Sequence, residues 1–346
     1  MKKFFYGKIT RRDFFVMGGI GLISFKSSIN SSFFRTKKEE KFPSDKKSKQ
    51  EKTPVSLVKT DDRRTGVRKS IEFLNINPFK DKNVLVKPNF NTSHPTPGST
   101  HNDTLREIII KVKEMGGKKI SIGDRSGPET TSLVLQRKNI YELAKELDTE
   151  MINFDELGED GYVKIVPPGS HWKDGFLVAK PIIESECIIS TCCLKTHQYG
   201  GIFTMSLKNS VGIVSRKGHP FMRELHGSPD MRKMIAEINY AYKPSLIVLD
   251  GIEAFVDGGP MTGERKNANV FLAGIDRIAI DAVGLAILKE LGSNRDIMER
   301  KIFEQEQISR AVELELGIKS PEQIKIITED KKSSEYSKKL KEILYT

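Results

Sequence analysis

From residue 55 onward, short apolar runs alternate with longer stretches of helical periodicity. Runs at 55–58, 84–86, 119–122, 187–191, 246–249, 270–273 and 324–327 are brief, mostly apolar and bounded by polar or turn residues, which predicts buried strands. Between them the period changes. Leu105, Ile108, Ile109, Val112 and Met115 share one helical face. Thr104 and Glu107 stand in capping-box register at its start, and Gly116-Gly117 ends it. Ile280, Val283, Ile287 and Leu291 define a second face over 276–291, and further helices are predicted over 64–74, 132–147, 231–242 and within 295–316. Runs at 163–166 and 176–179, separated by Pro and Gly, make the middle more β-rich. The pattern predicts an α/β fold, a mostly parallel sheet covered by helices on both faces, with a more β-rich middle segment. The α/β domain is expected over 54–328, with no internal repeat, and 329–346 is expected to be a polar tail, a frayed helix from Lys331.

The first 53 residues lack this alternation. Thr10-Arg11-Arg12-Asp13-Phe14-Phe15 has the pattern of a twin-arginine export signal, followed by a weakly apolar run at 16–25. That run is shorter than the ~20 apolar residues a membrane helix needs. Residues 1–25 are therefore read as a twin-arginine (Tat) signal and 26–53, rich in Lys, Ser and Glu, as a flexible linker. The expected address is the periplasm or the outer face of the cytoplasmic membrane, with the Tat machinery as a partner. That route carries folded proteins, which favours a cofactor loaded before export.

Charge follows the same division. Residues 1–52 hold 14 Lys+Arg against 5 Asp+Glu, whereas the remainder holds 43 against 41. The formal net charge of +11 thus belongs to the leader and linker, and a nearly neutral body is not expected to bind nucleic acid. Three cysteines, Cys187, Cys192 and Cys193, are too few for a self-contained four-cysteine iron–sulfur cluster. Buried strand cysteines are the plain reading. Cys192-Cys193 as a thiol pair facing a redox partner is the alternative.

Chemistry gathers after the strands. In open α/β sheets ligands bind beyond the strands' carboxyl ends. There the chain places Lys87-Pro88-Asn89, Gly123-Asp124-Arg125, Lys195 with His197, Asp250, Asp257, and Asp276. Lys208-Asn209, His219 and His226 follow closely after His197. The lysines suit phosphate or carboxylate. His197, with an ordinary pKa near neutrality, suits proton transfer. The expected catalytic group is His197, Lys195 and Lys208. Lys87, Asn89, Asn209, Gly258 and Gly259 are expected to hold a cofactor or anion. Asp124, Asp250, Asp257, His219 and His226 are candidate ligands for a divalent metal; a helix over 219–226 would set its two histidines on one face. Gly258-Gly259-Pro260-Met261-Thr262-Gly263 fits neither nucleotide-binding glycine spacing. Gly98-Ser99-Thr100-His101-Asn102 precedes a helix and is either an anion seat or simple capping.

These pieces in order, VLVKPN (84–89), IGD (122–124), LKTH (194–197), SLKN (206–209), IVLDGI (247–252), GGP (258–260) and AGIDRIAIDAV (273–283), resemble the family known as domain of unknown function 362. The resemblance covers roughly 54–328 and implies an α/β protein linked with anaerobic or redox metabolism. Relatives carry Pro-Lys before the Leu-Lys-Thr-His, where this chain has Cys192-Cys193, and some carry a ferredoxin-like extension that this chain lacks. The leading expectation is an exported enzyme acting on a small anionic molecule with a metal or other cofactor. Its alternatives are a non-catalytic cofactor- or metal-binding maturation protein and a thiol redox partner. Reaction, substrate and oligomeric state are left open.

Overall fold

A computed structural model describes residues 52–346. The expected signal (1–25) and linker (26–53) lie outside the described residues, apart from Lys52 and Thr53, and Thr53 already opens the first strand. The strands are β1 (Thr53–Lys59), β2 (Asn83–Lys87), β3 (Lys119–Asp124), β4 (Glu150–Asn153), β5 (Tyr162–Ile165), β6 (Phe176–Ala179), β7 (Cys187–His197), β8 (Ile202–Thr204), β9 (Leu246–Gly258), β10 (Gly263–Gly274) and β11 (Ile324–Ile327). The helices are α1 (Arg63–Glu72), α2 (Asn102–Glu114), α3 (Thr131–Arg137), α4 (Ile140–Glu146), α5 (Lys180–Glu184), α6 (Ser206–Asn209), α7 (Phe221–Gly227), α8 (Met231–Ile238), α9 (Arg277–Leu291), α10 (Arg295–Met298), α11 (Glu306–Glu313) and α12 (Lys331–Ile343). None of the described helices is long and apolar enough to cross a membrane.

Nine strands form one sheet in the order β11-β1-β10-β9-β7-β2-β3-β4, with β8 paired to the end of β7. Along that order only β10 runs against its neighbours. β5 and β6 form a separate hairpin in the β-rich middle. The fold is the mixed, mostly parallel α/β sheet that the sequence predicts.

Alternation along the strands builds two cores, because successive side chains point to opposite faces. In β9, Leu246 and Val248 join the cluster of α1, α2 and α4, while Ile247 and Leu249 join the cluster around α9. In β10, Phe271 and Ala273 face the first group, Val270 and Leu272 the second. On the α9 face a third cluster, centred on Trp172, Phe176 and α8, continues the core beneath β2 and β7 through Leu85 and Ile188. Both faces of the sheet are covered, which is why its central strands read as unbroken apolar runs.

Several expectations change. The reversal of β10 sends Asp276 to the opposite edge of the sheet, where it caps α9 by accepting the Ala279 N–H at 2.9 Å. The segment 132–147 is two helices, broken where Asn139 takes φ 53°. The capping box at α2 does not form. His101 Nδ1 accepts the Asp103 N–H at 3.1 Å, Thr104 turns to Asp250, and Glu107 pairs with Arg68. The segment expected as a frayed polar tail forms α12, which buries Leu340, and with it the following Leu344, against the α9 cluster. Its few apolar residues fall on one face, enough to dock it despite its charge.

Candidate functional site

The carboxyl ends of β2, β3 and β7 open onto a cavity of about 600 Å³. β2 leads to β3 on one side and β7 leads to β9 on the other, so the cavity lies where the strand order reverses. β7 is longer than its apolar run. Lys195, Thr196 and His197 remain in the strand because β8 pairs with them, Lys195 opposite Thr204 and His197 opposite Ile202.

The cavity floor is a buried ion pair. Lys87 Nζ lies 2.7 Å from Asp124 Oδ1, and each residue is 1% exposed. Lys87 also donates to the Pro88 carbonyl at 2.7 Å and to Asn209 Oδ1 at 3.3 Å. Asp124 accepts the Phe90 N–H at 2.7 Å and the Arg125 N–H at 2.8 Å. Burial raises the Asp124 carboxyl above its ordinary value, against the pull of Lys87 and the two amides. Gly212 closes over this pair, and a Cβ there would stand 2.5 Å from Asp124 Oδ1 and 2.8 Å from Lys87 Nζ, so only glycine fits. Asn209 Nδ2 donates to Ser190 Oγ at 3.0 Å and the Thr191 carbonyl at 3.2 Å, tying the short helix α6 to β7.

α6 itself is held by Asp281 of α9. Its Oδ1 accepts the Ser206 N–H at 2.7 Å and its Oδ2 the Leu207 N–H at 2.9 Å. This carboxylate satisfies the first free amides of the helix and fixes where Lys208 projects. Lys208 lines the cavity at 8% exposure and makes no hydrogen bond or ion pair among the described residues. Burial, then Lys195 and Arg125, brings its ammonium down to about 7.

His197 stands beside Lys208. A Cβ on Gly201 would lie 2.8 Å from His197 Nδ1 and 2.9 Å from Lys208 Cε, so the two side chains flank one point. His197 Nδ1 accepts the Gly201 N–H at 3.2 Å, which leaves the ring proton on Nε2. Burial, then Lys208, His226 and Lys195, drives the imidazolium far below its ordinary value. Burial and the neighbouring cations thus favour the neutral ring over the imidazolium, against the ordinary near-neutral value expected from sequence.

Lys195 lies behind the wall, fully buried. Its Nζ donates to Asn89 Oδ1 at 2.8 Å, to the Gly98 carbonyl at 2.6 Å and to the Pro260 carbonyl at 3.2 Å. It thereby gathers the β2–α2 loop and the β9–β10 turn onto β7. Burial lowers it to about 8. In that turn Gly258 and Gly259 take φ of 75° and 70°, and Gly259 presses so closely on the Thr196 carbonyl that a Cβ would lie 2.2 Å from it. The two glycines shape the wall that carries Pro260 and Met261 into the cavity. The 98–102 stretch acts as support and cap: Thr100 Oγ1 accepts the Asn89 N–H at 2.8 Å.

Of the predicted residues, Lys87, Asn89, Asp124, His197, Lys208, Asn209 and His226 meet in this one cavity. The others do not. Asp250 sits within β9, paired to Arg63 Nε at 3.1 Å and accepting from Thr104 Oγ1 at 2.7 Å. Asp257 is exposed and its Oδ1 accepts the Gly258 N–H at 2.8 Å. α7 begins only at Phe221, so His219 does not share a face with His226; it pairs with Glu224 at 2.6 Å beside a second cavity of about 400 Å³. Of the five expected metal ligands only Asp124 and His226 share the cavity, and among the described residues no group of three or more His, Cys, Asp or Glu side chains is placed to hold a metal ion. Cys192 and Cys193 are buried free thiols, and burial pushes both upward, away from the reactive thiolate.

Residues beyond the predicted set complete the lining. Arg125 is 3% exposed, donates to the Ser126 carbonyl at 2.8 Å and the Val211 carbonyl at 2.7 Å, and has a buried Nε with no partner. Thr204 Oγ1 is also buried without one. Tyr199, Met222 and Met261 add apolar surface. Arg125 was visible as the residue after the Gly-Asp pair of β3. Met222, in α7, and Met261, in the β9–β10 turn, carried no signal, because a lone apolar residue reads like any other.

Residues 84–286 match the model of a protein family described as Domain of unknown function (DUF362). That span runs from β2 into α9 and holds every residue lining the cavity. The thylakoid-associated protein sll1697 of Synechocystis sp. is 28% identical over 211 residues, 60% of this chain and 63% of that protein's length. The structure of the lactate racemase apoprotein from Thermoanaerobacterium thermosaccharolyticum is similar with a TM-score of 0.44 at 12% identity, covering 84% of this chain and 86% of that one.

Proposed function

The chain belongs to the family described as Domain of unknown function (DUF362), and we propose that its sheet-edge cavity binds a small anionic molecule and acts on it by proton transfer through Lys208. The observation that carries this reading is the isolation of Lys208. It is a largely buried lysine on a ligand-sized cavity, with no hydrogen-bond or ion-pair partner among the described residues. Lys87 and Arg125 line the same cavity, Lys195 stands behind it, and the one carboxylate among the lining residues, Asp124, is already engaged by Lys87. The field in the cavity is therefore positive, and an anion is the ligand that balances it.

Within this reading each group has a distinct task. Lys87 and Arg125 supply fixed positive charge. His197, a neutral ring with its proton on Nε2, orients an oxygen of the ligand by hydrogen bonding. Lys208, brought to about 7, exchanges a proton near neutral pH, where general acid–base catalysis is most effective. We further propose export by the twin-arginine route, on the Arg11-Arg12 pattern; normal export of an Arg11→Lys/Arg12→Lys variant would overturn it.

The test is calorimetric binding of a panel of small carboxylates and phosphates to the full chain. At least one should bind, with affinity reduced about tenfold or more in Lys208→Met, the equivalent of about 1.4 kcal/mol. No binding across the panel, or binding indifferent to Lys208→Met, refutes the assignment. Turnover of the bound anion separates an enzyme from a carrier.

A further inference from the structure

Three buried lysines surround the cavity, and they are not equivalent. Lys87 is matched by Asp124, the Pro88 carbonyl and Asn209. Lys195 is matched by Asn89, Gly98 and Pro260. Lys208 alone of the three has no acceptor among the described residues, although its exposure is only 8%. A largely desolvated ammonium at the cavity wall is costly without a counter-charge, whereas the neutral amine is far less so. The neutral amine is also the nucleophilic form.

Resting on the anion-binding reading, we propose that Lys208 Nζ forms an imine with its ligand, and that the ligand class is a small oxo acid or aldehyde carrying a carboxylate or phosphate. The amine attacks the carbonyl carbon to give a carbinolamine. Loss of the former carbonyl oxygen with the two protons of the amine, as one water, then leaves the carbon–nitrogen double bond. No oxidant or reductant enters. The surroundings suit each part. Lys87 and Arg125, whose donors are already engaged, add positive field at the cavity floor and side that favours an anionic group. His197 flanks Gly201 together with Lys208 and lines the same cavity, so its ring stands close to the proposed reacting amine. Met222 and Met261 keep bulk water from the bond once formed. The lowered proton affinity of Lys208, about 7, leaves about half of it as free amine at neutral pH, against roughly one part in three thousand for an ordinary lysine.

The full chain is treated with cyanoborohydride and either pyruvate or glycolaldehyde phosphate at neutral pH, and adducts are mapped by peptide mass. Modification is expected at Lys208 at least about tenfold faster than at any other lysine. It should be slowed by lactate or inorganic phosphate, which carry the charge without the carbonyl, and be absent in Lys208→Met. Labelling by pyruvate alone assigns a carboxylate ligand, and labelling by glycolaldehyde phosphate alone a phosphate. Heat of binding without an adduct at Lys208 refutes the imine and leaves anion binding standing. Neither heat nor adduct refutes both. An adduct spread evenly over surface lysines also refutes the imine. Mapping on the unmodified sequence decides the matter even where Lys208→Met folds poorly.

Discussion

Lys208→Met should stabilise the protein, and by an amount that depends on pH. The lysine falls from 10.5 to about 7 on burial. At about 1.4 kcal/mol for each factor of ten in proton affinity, holding the charged form in the fold costs on the order of 4–5 kcal/mol. The direction follows from proton counting. Below about pH 7 the side chain is charged in both folded and unfolded chains, and the full penalty applies. Between about 7 and 10.5 the unfolded chain keeps a proton that the folded one has released, so stability rises with pH. Above 10.5 both are neutral and the penalty is gone. Methionine matches the lysine stem in length and carries no charge, and no hydrogen bond is lost with the amine. The variant should therefore gain about 4 kcal/mol at neutral pH, a rise in melting temperature on the order of 10 °C, and the gain should vanish near pH 10.5. Lys195, lowered to about 8, is present in both proteins, so the difference between them isolates Lys208. Urea unfolding at a series of pH values measures it. Equal stability at pH 7, or a gap that persists undiminished at 10.5, would refute the reasoning.

Lys87→Met should cost about 3–5 kcal/mol by stranding the Asp124 carboxylate, and Lys87→Met/Asp124→Leu should recover most of it. Additive losses in denaturant melts of the two singles and the double would deny the coupling. A thiol reagent should label Cys187, Cys192 and Cys193 only on unfolding, because all three are buried and Cys192 and Cys193 are held as thiols; rapid native labelling would contradict this. An anion without a carbonyl, such as lactate or phosphate, should draw a proton onto Lys208 above about pH 7, so its affinity should fall with rising pH and its binding heat should depend on buffer ionisation. A pH-independent affinity would place the anion away from Lys208.

Much of the fold was legible because a doubly covered sheet writes unbroken apolar runs into its strands, and those of β2, β7 and β9 were found within a residue of where they begin. What the pattern could not supply was direction. The run at 270–273 looks like any parallel strand, but the Gly258–Gly263 turn joins β10 to β9 as a hairpin and reverses it, so Asp276 leaves the site edge. Nor could the pattern show where strands end. Polar Lys195 and His197 read as a loop until β8 pairs with them. The site was half legible for the same reason: Lys87, Asp124, His197 and Lys208 follow apolar runs or lie close by in sequence. Asp250 follows one too, yet it is absorbed by Arg63 and Thr104, contacts made by α1 and α2 across the sheet. Asp281 shows the reverse failure. It lies inside a helix and looks structural, but it fixes the amides that aim Lys208.

The charge balance of the cavity argues for a ligand more strongly than any single residue does. Burying a cation against neutral oxygens is a poor way to stabilise a fold, and an apolar residue of the same size would serve packing better. Here Lys87, Lys195, Lys208 and Arg125 converge with one carboxylate among them, and only Lys87 is paired to it. Packing does not call for Lys208, since it supports no loop and meets no acceptor. Lys195 does support loops, yet three neutral oxygens leave its charge uncompensated, and that charge acts across the wall on whatever the cavity holds. Two uncompensated lysines beside a buried arginine are stable together only at a cost that the surrounding core must cover. An anion in the cavity removes that cost, and its binding energy is then largest where the empty protein is least comfortable.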